Sequence, residues 1–556
     1  MRRLIYIFII GLLLCSYTWA DGSRYASKSL LSEGKWVKIR VDKTGIYKLS
    51  YADLKNMGFS DPSKVSVHGY GGWPLDEDFS KEYIDDVPST PVWRGSDYLL
   101  FYGKGPVKWE YDSSSQTFVH TNNPYSLYGY YFVTDATPTN DMTSVTQASG
   151  ASTRITTYDD YLLHEQELVS VNQSGREFFG EDFSGARPRT ISTFSSIPGI
   201  TDADGKVTMR FISRINSGSG TASLSINDSE LLDITIPSIQ TVSSNVRSYT
   251  KAIPGTTTAL WKGSKSEKNN VVVSYSSSGH TNVRLDYIRM QFVRTLRPYG
   301  ACTFFRSLTS VGNASRFVIS EANSNTLVFD VTDALNVKRV EADLNGSELS
   351  FTIPAGRLRE FVLVQTNQTF PSPEVVGEVA SSNLHGLEQR DMIIISAPSL
   401  VQQAERLAVA HREKDGLTVE VVTPEAIYNE FSSGTPDATA YRRLMKMFYD
   451  RSSSLGNPPK YLLLFGDGIY DNRGISGEVQ GVSRSNMLLT FQSQESLNVY
   501  SYATDDYFAF LEDNSGSNFS RDKMCLGVGR FPIRTVTDAT QMVDKTISYM
   551  ENKDSG

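Results

Sequence analysis

The chain has 556 residues, 39% of them hydrophobic and 21% charged, with a formal net charge of -8. That length predicts roughly three or four domains, and the apolar fraction excludes wholesale disorder. The acidic balance, with no basic stripe beyond the first few residues, excludes a general nucleic-acid binder, whose affinity needs cationic surface to release counterions.

Arg2 and Arg3 precede an apolar run over 4–15, and Thr18-Trp19-Ala20 supplies small residues before a cut. The series predicts a secretory signal peptide at 1–20, and hence export. The apolar run is shorter than the about 20 residues that span a bilayer. A lipid-bearing start at Cys15 competes with this reading, but bulky Leu14 stands where such signals carry a small residue. Past the cut only Cys302 and Cys525 remain, so no disulfide framework is expected.

The next block, 21–165, reads as short strands and turns. WVKIRVDKTGIYKLS alternates around Thr44-Gly45 and predicts a hairpin; YADLKNMGF predicts one short helix closed by Gly58. From 166 to 385 the pattern is again β, with VTMRFISRI, TASLSIND, VRLDYIRMQFV and TLVFDVTDA as strands between Ser/Gly loops. One or two sandwich-like modules are expected there.

The texture changes at 386–556. MIIISAP is a continuous apolar run, as a strand covered on both faces requires. Leu400, Ala404, Leu407, Ala408 and His411 then fall at helical spacing, ahead of Gly416. TVEVVTP, PDATAYRRLMKMFYDR, KYLLLFGDG and MCLGVGRFP continue as strand, helix, strand and strand. A last helix follows, with an apolar stripe of Ala539, Met542, Val543 and Ile547 and a capping box at Thr535 and Asp538. This alternation specifies a mostly parallel sheet with right-handed crossovers. The fold class is therefore multidomain: β-rich amino-terminal modules followed by an α/β domain.

Ligands of such sheets bind beyond the carboxyl ends of the strands, where Gly466-Asp467-Gly468 and Tyr470-Asp471-Asn472 lie. A tight turn closed by its own aspartate competes with a pocket role for Asp467. A metal-dependent hydrolase using Asp467, Asp471 and either Asp505 or Asp506 is a further alternative, but no histidine joins them at ligand spacing. In Thr504-Asp505-Asp506-Tyr507 at most one aspartate faces a given pocket, because neighbours on a strand point to opposite faces. Such an acid would select a cationic group. Cys525 falls in an apolar strand, where a thiol packs as an inert hydrophobe; His411 falls on an apolar helix face, and Cys302 lies in a β module. No Gly-x-Ser-x-Gly, His-Glu-x-x-His or phosphate loop occurs. No cofactor or metal is expected, and these residues assemble no catalytic centre.

YLLLFGDGIYDN, YATDDYFAFLED and LGVGRFPIRTVTDATQMVDKTISYMEN resemble the gingipain family of cysteine peptidases. WVKIRVDKTGIYKLSYADLKNMGF, HGYGGWPL, DYLLFYGKGPVKWEY, SGREFFGEDF and VRLDYIRMQFVRTL extend the resemblance to the front modules of the type IX secretion sortases within it. The resemblance implies a caspase-like α/β/α peptidase domain, incomplete here, because the family's His-Gly motif and cysteine are expected after Gly556. The chain by itself is accordingly expected to be inactive. It implies cleavage of carboxyl-terminal signal domains from secreted cargo and attachment of cargo to a lipopolysaccharide acceptor. Outer-membrane type IX secretion components are implied as partners, at the bacterial cell surface. The family's specificity acid lies in the region of Asp505 and Asp506, so the substrate pocket is expected at Asp505, Asp506 and Asp467; the surroundings differ, and arginine specificity does not carry over. A surface adhesin or glycan-binding protein without catalysis is the alternative.

Overall fold

A computed structural model describes residues 24–81, 84–185, 187–239, 250–277, 280–477 and 486–551. The expected signal peptide lies outside these residues. The molecule is multidomain, three β-rich units followed by a parallel α/β layer.

The first unit pairs Trp36–Val41 with Gly129–Thr134 on one side and Glu374–Glu378 on the other, while Gly45–Ser50 pairs with Tyr98–Gly103 in a second sheet. Residues around Thr44 therefore connect two sheets, and the expected hairpin is not formed. Period-two alternation says which face a residue occupies, not which strand lies beside it, and Thr44-Gly45 lacks the Asn-Gly or Asp-Gly chemistry that enforces a tight turn. The short helix forms as expected at Tyr51–Asn56, held by a capping box between Ser50 and Asp53. Gly58 follows at φ +91°, a left-handed conformation that suits glycine.

The second unit is a sandwich. One sheet orders Thr157–Glu165, His280–Thr295, Gly205–Ile215 and Ile253–Trp261; the other orders Arg189–Thr190, Val271–Ser276, Ser219–Ile226 and Ser229–Pro237. Alternate residues of both, among them Val207, Met209, Leu224, Ile234, Val273 and Ile288, share one core. The third unit closes around Phe305, Phe317, Phe351 and Phe361, whose ring centroids lie 5.1–6.3 Å apart.

The α/β layer has strand order Val419–Val422, Met392–Ser396, Tyr461–Phe465, Gly527–Phe531, every pair parallel. From Met392–Ser396 the chain steps to one side through the helix Val401–Lys414. It then returns past its start, through Pro424–Phe431 and Ala438–Leu455, to Tyr461–Phe465. Right-handed crossovers in opposite directions place those helices on opposite faces. The last helix, Val536–Met550, packs beside Val401–Lys414, with Ala539 and Val543 buried. The reversal of direction leaves a crevice at the carboxyl ends of Met392–Ser396 and Tyr461–Phe465, where Ala397 N–H donates to the Phe465 carbonyl (3.0 Å).

Candidate functional site: a cleft at the carboxyl ends of the parallel strands

The backbone leaves Tyr461–Phe465 through Gly466 and turns over the sheet. Gly466 N–H donates to the Phe531 carbonyl (3.1 Å) and Asp467 N–H to the Ile533 carbonyl (3.1 Å), so the turn is stitched to the neighbouring strand. Gly468 is required for close approach: a Cβ there would lie 2.4 Å from Thr490 Cγ2. Asn472 and Thr490 exchange two hydrogen bonds (2.9 and 3.1 Å), and Gln492 Nε2 donates to the Tyr470 carbonyl (2.7 Å). Asp471 is buried and accepts from the amides of Gly474, Ile475 and Ser476 and from Ser476 Oγ at 2.6–3.1 Å. It folds its own loop.

These turns enclose a cleft of about 290 Å³, walled by Asp467, Gly468, Thr490, Asp505 and Arg530 and, from the sandwich unit, Gln173 and Ser174. Of the three acids read from the sequence, Asp467 and Asp505 meet in this cleft. Asp506 does not line it: its amide donates to Thr504 Oγ1 (3.1 Å) and its side chain is exposed at the start of the short helix Asp506–Ala509.

Neither cleft acid is free. Arg530 clamps Asp505 in a two-pronged pair, Nε to Oδ2 at 2.9 Å and Nη2 to Oδ1 at 2.8 Å, while its remaining donors reach the carbonyls of Gly466 and Leu489 (3.3 and 3.2 Å). Arg534 Nε donates to Asp467 Oδ2, and Asp467 Oδ1 accepts from the Gly468 amide (2.8 Å). The two-pronged pairing fixes Asp505 and Arg530, and Arg534 holds Asp467 through Nε alone, so the cleft presents paired carboxylates rather than a bare one. Arg530 and Arg534 escape a reading of the sequence for lone acids, although both stand in the GRFPIR stretch. Nothing in the sequence places Gln173 and Ser174 here, some 300 residues upstream of the acids they meet.

The thiols lie elsewhere. Cys302 lines a separate cavity of about 640 Å³ beside Arg306 and Glu360, and burial pushes its pKa up to about 12, which suppresses the thiolate. Cys525 precedes the strand Gly527–Phe531 rather than lying inside it, half-buried against the α/β core. Strand pairing of that segment begins only at Gly527, opposite Tyr461. Among the described residues neither thiol has a histidine partner, and no group of three or more His, Cys, Asp or Glu is placed to hold a metal ion.

Residues 385–556 match the model of peptidase family C25. The chain is similar to the solved structure of dimeric latent PorU from Porphyromonas gingivalis, with a TM-score of 0.86 and 38% identity over 96% of this chain and 51% of that one. It therefore spans about half the length of that protein. A β-glucuronidase from Ruminococcus gnavus, aligned over 56% of this chain and 67% of that one, is 8% identical at a TM-score of 0.14 and carries no argument. No curated protein matches.

Proposed function

With residues 385–556 a segment of peptidase family C25, set behind β modules that share the fold of PorU, we propose that the protein acts as a cysteine-type sortase of type IX secretion. In this reading it removes carboxyl-terminal signal domains from secreted cargo at the bacterial surface and joins the cargo to lipopolysaccharide. The observation that carries it is the similarity to PorU along 96% of the chain, modules and α/β layer together; a shared α/β layer alone would support only a fold. Support also comes from the cleft of Asp467 and Asp505, which opens where parallel sheets bind ligands. No described helix is long and apolar enough to cross a membrane.

The chemistry is that of an activated thiolate. Its sulfur attacks the scissile carbonyl carbon, the amide C–N bond breaks, and the amine leaves with a proton. The resulting thioester is resolved by an acceptor amine or by water, which restores the thiol. Cys302 and Cys525 are not that nucleophile: burial holds Cys302 protonated, and among the described residues neither thiol has a histidine partner. The role of the described residues is to receive the substrate chain in the cleft.

The test is incubation with a cargo carboxyl-terminal domain and with a peptide carrying a thiol-directed group, for the chain and for Cys302→Ala and Cys525→Ala. No cleavage and no active-site labelling are expected in any of the three, because Cys302 and Cys525 are the thiols past the expected cut and neither is the nucleophile. Cleavage that disappears in either variant would overturn the assignment of the thiols. Cargo left uncut under every condition by a form that carries the family's His-Gly motif and cysteine would overturn the sortase reading itself.

A further inference from the structure

One wall of the cleft does not come from the peptidase segment. The stretch from Glu167 to Phe179 leaves the sandwich unit, runs along the outer loops of the α/β layer and returns. Asn172 Nδ2 donates to the Asn498 carbonyl (2.7 Å) and to Ser501 Oγ (2.9 Å). The Arg176 amide donates to the Ser493 carbonyl (3.1 Å) and its Nε to the Gln492 carbonyl (2.8 Å), with the guanidinium 4.4 Å above the Phe491 ring. Glu177 and Ser496 exchange two bonds, amide to Oγ at 2.8 Å and amide to Oε2 at 3.3 Å. Outside these, Arg473 forks onto Glu167, and Tyr470 stacks on Phe178 at 6.3 Å and 17°.

The tip of this stretch is built for close docking. Gly175 has φ +77°, and a Cβ there would lie 2.3 Å from Ser496 Oγ and 2.4 Å from the Glu495 carbonyl oxygen. No other residue fits. Gln173 is itself held in the left-handed region, at φ +53°, a conformation a non-glycine side chain adopts only when its surroundings impose it. The docking amides fix the backbone on both sides, yet among the described residues the Gln173 side chain has no hydrogen-bond partner, and it is exposed over the cleft.

We infer that the sandwich loop Asn172–Arg176 belongs to the substrate-binding machinery, with Gln173 and Ser174 determining which peptide side chain the cleft admits. The inference rests on the peptidase reading above. The side chain admitted is an uncharged one. Both acids of the cleft are already paired with arginine, so a cationic group finds no free carboxylate, and an anionic one finds the Arg530 guanidinium already committed. The loop limits size from outside, and the Gln173 amide supplies a donor and an acceptor at the rim.

The experiment uses the full chain and fluorescein-labelled heptapeptides that differ only in a central Ala, Gln, Leu, Arg or Glu, read by fluorescence anisotropy. The wild type is expected to prefer Ala and Gln over Arg and Glu. Gln173→Ala, which keeps every docking bond, is expected to shift the Leu-to-Ala affinity ratio by about tenfold, the scale of one methylene in a shaped pocket. Gly175→Val is expected to shift it in the same sense, with faster hydrogen exchange over 493–498 reporting that the loop has lifted. Ratios within twofold of wild type in Gln173→Ala, while the wild type binds, would overturn this inference and leave the peptidase reading standing. An absence of binding by the wild type would overturn the cleft as a peptide site, and this inference with it.

Discussion

His385 lies wholly buried where the β units meet the α/β layer, with Nδ1 2.7 Å from Glu430 Oε2, Nε2 2.9 Å from Asp85 Oδ1, and its ring stacked at 4.6 Å on Phe431. Burial alone lowers an imidazole pKa, but the hydrogen bonds and charges of Asp85 and Glu430 outweigh it and push His385 up to about 9. An unfolded histidine titrates near 6.5. Below that pH both states carry the proton and the stabilisation is fully present. As pH rises through about 9 the folded state loses the proton and the stabilisation goes with it. The urea midpoint is expected to fall between pH 6.5 and 9.5 by the equivalent of on the order of 3 kcal/mol, and the difference between wild type and His385→Gln to shrink over the same window. A wild-type-minus-variant difference that stays flat would contradict the pairing.

Helix Ala438–Leu455 shows how an element is specified, and how far sequence reveals it. Its start is fixed by Asp437, whose Oδ1 accepts the Thr439 amide (2.8 Å) while Oδ2 accepts the Leu75 amide of the first β unit (3.0 Å). Asp437→Ala is expected to lower stability by about 1–2 kcal/mol as a lost cap, and further because the buried Leu75 amide is left without an acceptor. Asp437→Asn keeps one acceptor oxygen in place of two, so it should lose less than Asp437→Ala without matching the wild type; equal losses in thermal denaturation of the two variants would show that charge rather than acceptance matters. The helix was legible because its stripe is long and its cap explicit. Of the four parallel strands, Met392–Ser396 and Tyr461–Phe465 are legible as apolar runs, and Val419–Val422 and Gly527–Phe531 only from their place in the strand–helix alternation. The helix Pro424–Phe431 was not read from the sequence: eight residues give too little periodicity, and only Pro424 after Thr423 marks its start. The cleft was half legible. Asp467 and Asp505 are local features of strand ends, whereas their arginine partners and the Gln173 wall depend on which distant segments pack together, which no local pattern encodes. The false hairpin at Thr44 has the same cause.

At the scale of the molecule, the α/β layer does not own its whole core. Tyr25, Leu75 and Tyr125 from the first β unit are buried within the cluster that holds Ile394, Leu444 and Phe465. Arg442 is fully buried and donates to the carbonyls of Phe510 (2.6 Å), Ser515 (2.8 Å) and, across the boundary, Glu77 (2.6 Å), with Phe79 4.0 Å from its guanidinium. Lys446 pairs with Asp450 and Asp513, and Asp450 accepts Tyr25 Oη (2.8 Å). The β-unit clusters around Ile39, Phe211 and Phe351, in contrast, hold no residue of the α/β layer, although a small one of Phe179, Ile212 and Ala252 includes Leu497. Separating the chain near residue 385 therefore strips apolar cover and hydrogen-bond partners from helix Ala438–Leu455 and exposes a patch that invites association, while the β units lose Leu497 and the acceptors of the Leu75 amide and Lys38 but keep their main cores. Residues 24–385 produced alone are expected to be monomeric and to unfold cooperatively in urea. Residues 386–556 produced alone are expected to show weakly protected amides across 438–455 and to aggregate. Mixing the two should restore that protection. A 386–556 fragment that is soluble and as protected at 438–455 as the intact chain would show that Tyr25, Leu75 and Tyr125 are dispensable to that core, and that the β units are attachments rather than part of the α/β fold.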